Sequence, residues 1–65
     1  MSRYVVRVST RKRDWFLAGA GLVAKAEHGT LYRDPDIAEW AARSVREGMP
    51  PLPAMVMEFP LAEGL

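Results

Sequence analysis

The sequence predicts an α+β domain: a small antiparallel sheet of three to four strands with one helix packed across it. Three observations carry that expectation. Residues 4–9 alternate apolar and polar, residues 35–47 read as a capped amphipathic helix, and residues 54–59 form a second short apolar run after a proline-rich connector. A period near 2 followed by a period near 3.6 is the pattern of a sheet with a helix laid on it.

The first strand places Tyr4, Val6 and Val8 on one face and Arg3, Val5, Arg7 and Ser9 on the other. This suits a half-buried antiparallel strand. Residues 10–14 are polar and read as a loop. Residues 15–25 read as an irregular strand bent at Gly19 and Gly21, with a helix as the alternative, since each glycine costs a helix about 1 kcal/mol relative to alanine. Glu27, His28 and Gly29 read as a turn with Gly29 at positive φ, and residues 30–32 as a short returning strand.

The helix is the clearest element. Asp34 is a good N-cap, Pro35 suits the first helical position, and Asp36 and Glu39 lie near the positive end of the helix dipole. Ile37, Trp40, Ala41, Ser44 and Val45 recur at helical spacing, so the expected core stripe includes Trp40. The expected contacts run from Ile37, Trp40, Ala41 and Val45 to Val6, Val8, Leu22 and Tyr32. Glu39–Arg43 and Arg43–Glu47 are expected surface pairs. Gly48 suits the position just past the helix end, and Pro50 and Pro51 prevent continuation. Residues 49–53 form a stiff connector. Met55, Met57 and Phe59 share one face of the last strand, and residues 60–65 make a short apolar tail.

Sixty-five residues make one domain, which at this size buries only about 60% of its unfolded surface. The chain has no cysteine and a single histidine, so disulfides and thiolate metal sites are excluded. Association with itself or with a larger assembly is the remaining source of stability. The uncharged stretch 15–24 is shorter than the ~20 residues a spanning helix needs. Neither a membrane segment nor a signal peptide is expected.

Charge is divided along the chain. Residues 1–33 carry seven basic side chains against two acids, and residues 34–65 carry two against six, within a net charge of +1. A dipolar chain of this kind suits two partners, or copies of itself. The basic half has less local explanation than the acidic half, part of which serves the helix. Arg3, Arg7, Arg11, Lys12, Arg13 and Trp15 are therefore the expected partner-binding residues.

The remaining motifs do not assemble into chemistry. Residues 19–24 match G-x-G-x-x-A, but so short a chain cannot hold a dinucleotide fold, and a bent strand explains the glycines. Arg11-Lys12-Arg13 beside Trp15 and Phe16 would suit phosphates and a stacked base, as an alternative to a solvated loop. His28 lacks a serine or acid at a telling spacing. Asp34 and Asp36 are explained by capping. The P-x-x-P of residues 50–53 is explained by a rigid connector. No enzyme, catalytic residue, cofactor or metal is expected.

From Tyr4 through the basic turn to Phe16, then Ala20-Gly21-Leu22, Gly29-Thr30-Leu31-Tyr32, a helix and a closing apolar strand, the chain resembles the small N-terminal domain of Mu-like prophage FluMu proteins. The resemblance implies a phage or prophage origin, points toward the virion-assembly genes, and carries over no catalytic residue. The expected function is then a non-enzymatic phage structural or assembly protein of minor capsid or decoration type. Its partners would be capsid or other virion proteins, or copies of itself. The alternatives are a phage accessory protein that inhibits a host defence or transcription complex, and a nucleic-acid-binding module. The expected location is the virion or the cytoplasm of the infected host.

Overall fold

The structure is a computed structural model and describes residues 3–59; the apolar tail expected at 60–65 lies outside the described residues. Four strands, β1 (Arg3–Ser9), β2 (Asp14–Ala18), β3 (Gly21–Val23) and β4 (Ala54–Phe59), form one sheet in the order β3-β2-β1-β4. Every neighbouring pair is antiparallel. A single helix, α1 (Pro35–Arg46), packs on one face, against β1 and β4. The α+β fold expected from the sequence is therefore the fold observed.

β1 is the central strand, and its alternation sets the two faces. Val8 lies opposite Trp15 and Ala54, and Val6 opposite Val56, so these residues face α1. Val6, Val8, Ala38, Ala42 and Ala54 form the buried core. Tyr4, Trp15, Leu17, Tyr32, Ala41, Val45, Leu52 and Val56 pack around it. Arg7 lies opposite Phe16 and Met55, Val5 opposite Met57, and Arg3 opposite Phe59, on the face without a helix. Val5 is buried there because β1 has a neighbouring strand on each side.

Residues 15–25 are not one bent strand. Gly19 and Ala20 form a two-residue hairpin turn between β2 and β3, with Gly19 at φ +60°. Positive φ at the first central residue is the glycine position of a type II′ hairpin, whose twist matches that of the flanking strands. Asp14, expected in the loop, begins β2 instead. Thr10 closes residues 10–13: its N–H donates to the Arg13 carbonyl at 3.1 Å and its hydroxyl to the same oxygen at 2.7 Å.

After β3 the chain turns through a 3-10 segment (Ala26–His28). Gly29 was expected at positive φ but has φ −80°. Its role is close approach: a Cβ there would lie 3.1 Å from the Leu17 carbonyl and 3.3 Å from Phe16 Cβ. The returning strand expected at 30–32 reduces to one bridge, in which Tyr4 and Tyr32 exchange 2.8 Å backbone hydrogen bonds.

α1 starts where the sequence expects. Asp34 caps it, its carboxylate accepting from the Asp36 N–H at 2.8 Å, and Pro35 follows as the first helical residue. The helix is rotated from the expected stripe. Ala38 and Ala42 are fully buried, whereas Trp40 is 68% exposed and Ile37 55% exposed. Small residues one turn apart let the helix backbone approach Val6, Val8 and Ala54 closely. Trp40 lies about 160° around the helix from Ala38, at about 100° per residue, and so is carried to the outside. Leu22, expected beneath the helix, is also exposed. Glu39 pairs with Arg46, two turns away, and not with Arg43.

A candidate protein-docking surface

The helix covers only half of the sheet. Its main strand contacts fall on β1 and β4, and the β2–β3 side is less covered. That asymmetry leaves an open groove of about 320 Å³ between α1 and the β2–β3 hairpin. Leu17 and Gly19 supply the strand side, Tyr32 the floor beside β1, and Trp40, Ala41 and Val45 the helix side. The lining is mostly apolar, with the Ser44 hydroxyl turned back to the Trp40 carbonyl at 3.1 Å. Thr30 fixes the hairpin rim: its hydroxyl accepts from the Gly19 N–H at 3.0 Å, and its own N–H donates to the Leu17 carbonyl at 2.9 Å.

The six residues singled out from the sequence fall on different parts of the molecule. Arg3 and Arg7 belong to the sheet face without a helix, whereas Trp15 belongs to the helix face and packs against the core. Arg11, Lys12 and Arg13 are exposed in the β1–β2 turn. Arg13 lies over the Trp15 ring, 5.4 Å from its centroid. Arg7 is held across the sheet between Asp14, at 3.8 Å, and the Met55 sulfur, at 2.9 Å. Its Nε is buried with no hydrogen-bond partner. Turn and ring therefore come together, and the strand arginines lie on the other side.

Sequence reasoning missed Trp40 as a surface residue. The signal was the pair Ala38 and Ala42. Two alanines four apart mark the side of a helix that approaches a sheet most closely, and bulk at Trp40 and Ile37 outweighed that signal in the hydrophobic pattern. The second exposed apolar area is the open sheet face, where Met55 is 47% exposed beside Met57, Phe16 and Phe59.

Among the described residues no three His, Cys, Asp or Glu side chains gather, and no helix is long and apolar enough to cross a membrane. Comparison with family models, with curated proteins and with solved structures finds no match for this chain.

Proposed function

We propose that this chain is a non-enzymatic interaction protein that acts through protein–protein contacts, as a minor-capsid or decoration-type component of a phage particle. The observation that carries the contact reading is the exposed Trp40 at the edge of the groove formed with Leu17 and Tyr32. Tryptophan and tyrosine are the residues most enriched at the energetic centres of protein interfaces, where an aromatic anchor meets an apolar pocket. The phage setting is supported by the resemblance of the strand–glycine-turn–helix–strand pattern to the prophage family. In the exposed turn of Arg11, Lys12 and Arg13, Arg13 lies over the Trp15 ring.

The nucleic-acid alternative is less well supported. Arg13 covers part of the Trp15 face that a base would stack on, and Arg7 is engaged by Asp14 and Met55. Binding by that route would weaken steeply with added salt.

Mass spectrometry of purified particles, with light scattering of the isolated chain, tests the proposal. The chain is expected in the particles, with Trp40→Ala depleted from them at least tenfold while remaining folded. A lone monomer absent from particles would overturn the phage-structural reading.

A further inference from the structure

We infer that the outer edge of β4 is a self-association surface, on which a second copy of this chain adds its own β4 antiparallel, with the twofold axis beside Val56. The inference rests on the protein-contact reading above and names one partner and one register for it.

β4 is an edge strand, paired with β1 on one side and with no described strand on the other. The direction of its backbone groups follows from β1. Tyr4 exchanges its bonds with Tyr32, on the β2 side, while the Ser9 N–H donates to the Pro53 carbonyl, on the β4 side. Groups alternate along a strand, so Met55, Met57 and Phe59 turn toward β1, and Ala54, Val56 and Glu58 turn outward. Arg46 engages one outward group, the Ala54 carbonyl, at 2.7 Å.

The edge is lightly protected: among residues 54–59 Glu58 is the one charge, and Arg46 covers the Ala54 carbonyl. Charged side chains (lysine above all), proline, bulges and a covering element are what discourage pairing with another chain. Residues 54–59 contain neither lysine nor proline, and their ladder with β1 runs in unbroken register. The opposite edge of the sheet, β3, is only three residues long.

Charge identifies the occupant as a second copy. A twofold interface must be complementary to itself. With the axis beside Val56, Ala54 lies opposite the partner's Glu58, and Met55 opposite the partner's Met57. Arg46, already seated on the Ala54 carbonyl, then stands beside the partner's Glu58. The helix behaves likewise. Two strand residues, from Ala54 to Val56, span about 6.6 Å, or roughly four to five helical residues. Counting back from Arg46 brings the axis close to Ala42, with Glu39 and Arg46 on either side of it. An antiparallel copy of α1 therefore presents Arg46 where this chain presents Glu39. A purely acidic partner would face Glu39 and Glu58 with its like, and a purely basic one would face Arg46 with its like.

The test uses the whole chain, made by chemical synthesis with an N-methyl group on Val56. This removes one outward N–H and leaves the β1 ladder untouched. Sedimentation velocity over a concentration series should show the native chain passing from about 7.3 kDa to twice that mass. The N-methyl chain should dissociate at least tenfold more readily, with unchanged far-ultraviolet circular dichroism. Register is read separately, since the native chain lacks cysteine. Met55→Cys mixed with Met57→Cys should cross-link faster under mild oxidation than either variant alone. A native chain that stays monomeric at every concentration overturns the inference, as does a dimer indifferent to the N-methyl group. If the N-methyl chain fails to fold, the cysteine pairs decide: preference for the mixed pair supports the register, and no preference overturns it. None of the negative results touches the contact reading, which fails separately if Trp40→Ala enters particles as well as the native chain.

Discussion

Two glycines that look alike in sequence are required for different reasons. Gly19 has φ +60° and open space around the position of a Cβ, so its requirement is conformational. Gly29 has an ordinary φ and is hemmed in by the Leu17 and Ala26 carbonyls and by Phe16. Gly19→Ala should therefore cost about 1–2 kcal/mol in urea unfolding, the penalty of a left-handed L-residue, and D-alanine at the same position should restore most of it. Equal losses for both substitutions would contradict this turn geometry. Val6 shows the contrasting, packing-dominated case. It is fully buried between the helix and the sheet, so Val6→Ala should cost about 2 kcal/mol by the same measurement. The alternation of Tyr4, Val6 and Val8 was legible in the sequence because one face of β1 meets a helix. The depth of Val5 was not, because it depends on strands that pair with β1 from 48 to 52 residues away, through Met55 and Met57.

At the level of elements, the helix start was readable to the residue and its rotation was not. Asp34 and Pro35 are local signals, fixed by the unpaired N–H groups of a helix end. Asp34→Ala should cost about 1 kcal/mol, measured by thermal or urea unfolding, by removing the acceptor for the Asp36 N–H. Rotation is set by what the helix must approach. Ala38 and Ala42 meet Val6, Val8 and Ala54, and Arg46 is held by the Ala54 carbonyl and by Glu39. A larger residue in that contact lifts the helix from the sheet, so Ala42→Leu should destabilise by about 1–3 kcal/mol despite adding apolar surface. A gain in stability would show that the helix rotates freely and that the alanine contact does not define its seat. The region 15–25 was misread for a similar reason. Its glycines signalled a break in regular structure, but the break is a hairpin turn that takes meaning only once β2 has paired with β1.

For the whole molecule, the deciding quantity is the mismatch between one twelve-residue helix and a sheet of four strands. The helix spans β1 and β4 and leaves the hairpin side open. That leaves Trp40 and Leu17 lining a groove instead of meeting in a core. The opposite face carries no α-helix among the described residues. Small chains bury a modest share of their surface, and this one leaves one of its two tryptophans mostly in solvent. The charge division seen in the sequence is also redistributed by folding. Arg7 is drawn to Asp14 and Arg46 to Glu39, while Arg11, Lys12 and Arg13 stand exposed together in one turn. The candidate site was thus half legible: the basic turn announced itself in the composition, while the groove arises only from where the helix sits.

The account turns on Trp40 lying at the surface, and the unfolding free energy of Trp40→Ala tests this most directly. A side chain that is mostly exposed should cost less than about 1 kcal/mol when truncated, whereas a buried tryptophan costs about 3–5 kcal/mol. A loss in the first range, by urea unfolding of the native and substituted chains, is the result expected here. A loss in the second would return Trp40 to the core, close the groove, and contradict the docking surface built around it.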